Sequence, residues 1–212
     1  MKITTELYTQ SLRENPEQGK HIIGHQSEKS IVVYQAYKPS IAAFALKNQY
    51  LGGADFSYSR MSWIKPNFLW MMHRCGWAEK ENQERVLALW IDKKELEHIL
   101  FQGAHTSFNS IHYKNEEEWK TALASSDVRI QWDPDHDPFG NPLSRKAIQI
   151  GLKGEVLKKF GQKNIQLIED ITEFVKEQKK HIINKDLDKL HVPMERVYKI
   201  NNTILKNKIG CE

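Results

Sequence analysis

Cysteine is almost missing from this chain: Cys75 and Cys211 are the only two in 212 residues. They form neither a disulfide framework nor a zinc-ligand spacing. Runs of about 18 apolar residues, the length of a membrane span, are missing too. The opening Met1-Lys-Ile-Thr-Thr-Glu-Leu-Tyr8 has no apolar stretch of the secretory kind. A cytoplasmic protein with no membrane partner is expected. No glycine-rich phosphate loop of the Walker or Rossmann type occurs, which disfavours the ordinary nucleotide-binding folds. The nine histidines show no metalloprotease spacing. Ser62 lacks the elbow glycines of a hydrolase nucleophile. Cys75 sits near a predicted helix C-terminus, where the dipole opposes a reactive thiolate. Charge of one sign is also scarce. Thirty-one Lys and Arg against 27 Asp and Glu leave +4, which permits a nucleic-acid partner without demanding one.

What is present is concentrated in one stretch, Arg60-Met-Ser-Trp-Ile-Lys-Pro-Asn-Phe-Leu-Trp-Met-Met-His-Arg-Cys-Gly-Trp77. It holds three Trp, two Arg, one Lys and one His. Pro66 marks a helix start and Gly76 its end. Arg60, Ser62 and Lys65 then precede a helix N-terminus, where free backbone N–H groups favour anions. The apolar members and the Trp residues equally fit core packing. The cations need a carboxylate or a ligand, because an unpaired buried charge is costly. His73, embedded among aromatic residues, is the histidine with the best claim to a functional role.

Around this stretch the pattern predicts strands over Ile31–Tyr37, Ser59–Ile64, Arg85–Ile91, Val128–Trp132 and Arg145–Ile150. Helices are predicted over Ile41–Asn48, Pro66–Cys75, Asn115–Ala124 and Glu155–Phe160, with another capped by Asp92-Lys-Lys-Glu95. Ile165–Ile183 reads as one long amphipathic helix, and Asp133–Pro142 as a turn-rich loop. With no Pro/Gly/Ser-rich linker, the expectation is a single α+β domain over residues 30–183. It would carry a mixed, largely antiparallel sheet packed by helices. Residues 1–29 form a polar N-terminal segment and 184–212 a peripheral C-terminal one.

Asp133, Asp135 and Asp137, with His136, raise the question of a divalent cation. The calcium-loop pattern fails, and turn chemistry explains Asp-Pro and Asp-Pro-Phe-Gly-Asn-Pro. Asp133, at a strand end, remains a candidate catalytic carboxylate.

Val33-Tyr-Gln-Ala-Tyr37, Arg60 to Met72, Gln131-Trp-Asp-Pro134 and Gln149-Ile-Gly-Leu152 together resemble the family called domain of unknown function 4291, over roughly residues 30–180. That resemblance implies no activity. A weaker resemblance is to ADP-ribosyltransferases, compact mixed-sheet enzymes that split NAD. Arg60-Met-Ser62 mirrors their Ser-bearing strand and Gln131-Trp-Asp133 their acidic element. Gln35 stands where a basic residue is usual, and Asp133 where Glu is.

The functional expectation is a nucleotide- or nucleic-acid-handling enzyme, a transferase in the ADP-ribosyltransferase manner with NAD as its possible cofactor. Arg60, Ser62, Lys65, Trp63, Tyr37 and Gln35 would bind the phosphate-bearing ligand. Asp133, Gln131 and His73 would carry the chemistry. Two alternatives remain open: a non-catalytic nucleic-acid-binding module, and a protein-interaction domain with a Trp-rich surface.

Overall fold

A computed structural model describes residues 2–212. The chain runs β1 (Thr5–Leu7), α1 (Tyr8–Glu14), β2 (Ile23–His25), β3 (Ser30–Tyr37), α2 (Pro39–Asn48), β4 (Ser62–Ile64) and α3 (Phe68–Cys75). It continues with β5 (Arg85–Asp92), α4 (Lys93–Phe101), β6 (Ala104–His105), α5 (Glu116–Ser125), β7 (Val128–His136) and β8 (Pro142–Leu152). Then follow α6 (Gly154–Lys159), β9 (Ile165–Asp170), α7 (Thr172–Ile183), β10 (His191–Pro193), β11 (Glu195–Val197) and α8 (Thr203–Ile209). The class is α+β, in mostly antiparallel sheets. No described helix is long and apolar enough to cross a membrane.

Two sheets organise the domain. The first has the order β3-β5-β9 and the second β4-β8-β7-β6, with β6 parallel to β7 and the other pairs antiparallel. Alternate residues of β3 and β5 enter different cores. Ile31, Val33, Leu87, Leu89 and Ile91 join one hydrophobic cluster. Val32, Tyr34, Val86 and Ala88 join the other. Burial on both faces explains why these two strands read as unbroken apolar runs. The second sheet is one-sided. Val128, Ile130, Ile148, Ile150 and Leu152 pack into the first core, while Arg129, Gln131, Asp133 and Gln149 alternate onto the opposite face.

Among the described residues the sheets meet at one bridge, between Tyr34 and Lys65. Tyr34 N–H donates to the Lys65 carbonyl at 2.7 Å, and Lys65 N–H to the Tyr34 carbonyl at 3.2 Å. This seam sets β3, β4 and α3 side by side. The two ends of the chain are also joined: β1 pairs with β10 and β2 with β11. Tyr198, Ile200, Leu205 and Ile209 contribute to the first core.

Three local expectations are corrected. Strand β7 runs on through Asp133-Pro-Asp-His136, leaving only a tight connection to β8. Pro134 is tolerated because the register shifts between Pro134 and His136, so its missing N–H leaves no gap in a regular ladder. Ile165–Ile183 is not one helix but β9 followed by α7. The Asp170 carboxylate accepts from Thr172 N–H at 2.9 Å where the strand ends, and the helix follows from Thr172. Helix α3 begins at Phe68 rather than Pro66, because Asn67 caps it by accepting from Trp70 N–H at 2.8 Å. Gly76 closes α3 in the left-handed region, φ 58°.

Candidate functional site

Five of the residues singled out in the sequence line one pocket at the seam. Gln35 and Tyr37 arrive on β3, Ser62 and Trp63 on β4, and Lys65 from the residue that bridges the sheets. Met71 and Arg74, one helical turn apart, close it from α3. The cavity is about 180 Å³.

Lys65 dominates its electrostatics. The side chain is almost completely buried, 3% exposed. Its Nζ donates to the Trp63 carbonyl at 3.2 Å, and no carboxylate forms an ion pair with it among the described residues. Burial, and next the Arg74 guanidinium, push the amine down from its ordinary 10.5 to about 8; Asp133 pulls the other way. Arg74 itself is exposed and enters no ion pair among the described residues.

A directional network lines the opposite wall. The Tyr37 hydroxyl donates to Gln35 Oε1, and Gln35 Nε2 donates to Ser62 Oγ at 2.7 Å. Ser62 Oγ accepts from Gln35, and with the Tyr37 proton committed to Gln35 the Ser62 O–H turns to the Tyr37 oxygen at 3.3 Å, closing the network on itself. Burial holds the Tyr37 hydroxyl well above its ordinary value, so it stays protonated. Lys65 and Arg74 therefore offer the pocket hydrogen-bond donors and positive charge. Trp63 supplies an aromatic wall, its indole pressed over Gly151. A Cβ at Gly151 would lie 3.1 Å from that ring and 2.8 Å from Met61 Sδ. Glycine here leaves room for the edge of the indole and for the Met61 sulfur.

The remaining candidates fall at varying distances from this pocket. Gln131 and Asp133 share the polar face of the second sheet. The Asp133 carboxylate accepts from Gln131 Nε2 at 2.9 Å and Gln149 Nε2 at 2.7 Å. It is close enough to Lys65 to act on its proton affinity, but it does not line the cavity. Arg60 is exposed and lies outside the lining, as does His73. The His73 ring stacks on His136, 3.6 Å between centroids, and His136 in turn stacks on Trp70. Burial, then the neighbouring His136, lowers the His73 pKa.

The three aspartates point apart. Asp135 is fully buried and pairs with Arg145 Nε at 2.6 Å. Asp137 accepts from Phe139 and Asn141 N–H groups in the β7–β8 turn. Phe68, Leu69, Trp70, Met71, Met72 and Cys75 are core. Arg74, which the sequence offers only for the phosphate surface of the nucleic-acid-binding alternative, lines the pocket too, as do Met61, Met71 and Gln83, which it did not single out.

A one-domain α+β protein with a small, donor-lined pocket at a sheet seam is the class these features define. The chain belongs to the family described as domain of unknown function (DUF4291), whose model matches residues 21–198. No curated protein matches it.

Proposed function

We propose that the protein is an enzyme acting on a nucleotide or a nucleic-acid end, with the seam pocket holding a phosphate-bearing group. One observation carries this reading: Lys65 is buried beside a cavity with no carboxylate to neutralise it, and Arg74 stands at the same cavity. A group that accepts hydrogen bonds and carries negative charge is the complement of that wall. Trp63 or Tyr37 offers a face for a base or sugar. At about 180 Å³ the cavity is smaller than pockets that enclose whole drug-sized ligands, roughly 300–1,000 Å³. It suits a phosphate with its adjoining sugar, the rest of the ligand lying outside.

Asp133, not ion-paired with Lys65 but near enough to raise its proton affinity, is the carboxylate available to stabilise positive charge developing on a sugar. NAD is accordingly the first substrate to try, in an ADP-ribosyltransferase-like reaction, with Ser62 and Asp133 in the positions that resemblance assigns. The free cysteines fit a reducing, cytoplasmic setting.

The test is titration calorimetry with inorganic phosphate, AMP, NAD, ATP and a short 5′-phosphorylated oligonucleotide. Wild type is compared with Lys65→Met and Arg74→Ala. Binding of at least one phosphate compound, lost in Lys65→Met and weakened in Arg74→Ala, is expected. Equal affinity in all three proteins would refute the assignment.

A further inference from the structure

The same amine that attracts an anion has the setting of a nucleophile. From its burial, its lack of a carboxylate partner and its position at the floor of a small open cavity, we infer that Lys65 forms an imine with a phosphorylated aldehyde or ketone. Arg74 at the mouth holds the phosphate. The inference rests on the phosphate-binding reading of the pocket and adds the reacting group, a carbonyl such as the open-chain C1 of a sugar phosphate.

The chemistry needs an unprotonated nitrogen. An exposed lysine near 10.4 leaves about one molecule in a thousand neutral at pH 7.5. At about 8, roughly a quarter of Lys65 is neutral at that pH. Burial lowers the amine's pKa most and the Arg74 guanidinium on α3 adds to that, while Cys75 on α3 and the Asp133 carboxylate on β7 oppose it. Tyr37 on β3 faces the same cavity and remains a neutral phenol. A desolvated amine beside a second cation is the arrangement that makes a lysine nucleophilic.

The Lys65 Nζ lone pair attacks the carbonyl carbon and forms the C–N bond. The carbonyl oxygen, protonated in the addition product, leaves as water with both amine protons, and a C=N bond remains. No oxidant or metal enters the balance. The proton passes from the nitrogen to the departing oxygen through solvent, since the Ser62 O–H is directed to the Tyr37 oxygen at 3.3 Å. Protonation of the imine restores a positive charge at the position Lys65 held, so the pocket keeps its charge for the phosphate.

The experiment treats the full chain with glyceraldehyde 3-phosphate and sodium cyanoborohydride at pH 7.5. Peptide mapping locates the reduced adduct, and unphosphorylated glyceraldehyde serves as comparison. The adduct is expected on Lys65 ahead of the exposed lysines, with a labelling rate that rises to a plateau through about pH 8. In Arg74→Ala the phosphorylated aldehyde should lose its advantage over the plain one. Lys65→Arg keeps the charge but cannot form the imine, so it should bind inorganic phosphate and take no label at position 65. Label spread over surface lysines, with Lys65 spared, would overturn the inference. If inorganic phosphate still binds in that case, the imine alone falls; if it does not, the phosphate reading falls as well.

Discussion

Replacing Lys65 by Met should make the protein more stable at pH 7 and less able to bind its ligand. The amine's drop from 10.5 to about 8 means that the folded state holds the proton less tightly than the unfolded chain. At about 1.36 kcal/mol for each tenfold change, burying the charge costs about 3 kcal/mol. That cost is present in full below about pH 8, where both states are protonated. It disappears as pH rises from about 8 to 10.5, where the folded amine has released its proton and the unfolded one still holds it. Methionine nearly matches the lysine stem in length and carries no charge, so most of the cost should be recovered. For a chain of this size roughly 2–4 °C of melting temperature accompanies each kcal/mol, an upper bound of about 6–12 °C. The assay is thermal unfolding of both proteins from pH 6 to 11. Other lysines and tyrosines titrate in both, so the difference between the curves isolates position 65. The gap should be widest below pH 8 and close by about pH 10.5. A Lys65→Met protein less stable than wild type at pH 7, or a gap independent of pH, would show that the ammonium is compensated in the fold.

Arg74→Ala should weaken binding of a phosphate ligand about ten- to a hundredfold, the loss of a charged hydrogen bond worth about 1.5–3 kcal/mol, with melting temperature unchanged. Asp133→Asn should lower stability by about 1–2 kcal/mol in a urea titration. An amide there turns one of its N–H donors against Gln131 or Gln149; a neutral result would mean that one of those glutamines rotates freely. Glu195 is buried, and burial drives its carboxyl well above the usual range, although Phe68 N–H at 3.0 Å opposes that. Wild type should therefore lose stability as pH rises above about 4.5, where the unfolded carboxyl ionises and the folded one does not. Glu195→Gln should abolish that slope at little cost near pH 7, as followed by melts from pH 4 to 8.

Much of the scaffold was legible because local and tertiary demands agree. Ile31–Tyr37 and Arg85–Ile91 are apolar runs of strand length, and both are strands. Asp92 caps α4, accepting from Lys94 N–H at 2.7 Å, and Asn115 caps α5. The failures come where two patterns coincide. Ile168, Ile171 and Val175 stand at helical spacing, yet the first is buried by β9 and the others by the start of α7. Over so short a run the periods of strand and helix cannot be told apart. Pro134 argued for a loop because a bulge, which accommodates proline, leaves no trace in sequence. Within the pocket, Gln35, Tyr37, Ser62, Trp63 and Lys65 belonged to conspicuous motifs. Arg60 was drawn in by proximity in sequence, but it sits at the turn ahead of β4, Tyr58 to Arg60, and is left in solvent. Gln149 stood in a family-like motif, but its role of orienting Asp133 was hidden, since only the β7–β8 register sets it opposite Gln131.

The Glu195 carboxyl that accepts from Phe68 N–H lies 127 residues further along the chain. During synthesis at about 5–20 residues per second, α3 and its Arg74 would wait several seconds for that partner. Strands β1 and β2 wait longer still for β10 and β11. Such long loops make closure late and slow relative to the local hairpin of β7 and β8. The pocket is thus among the last parts of the molecule to assemble. A nascent chain would expose the Trp-rich stretch until Glu195 emerges, a window in which a chaperone that holds apolar segments would find its target.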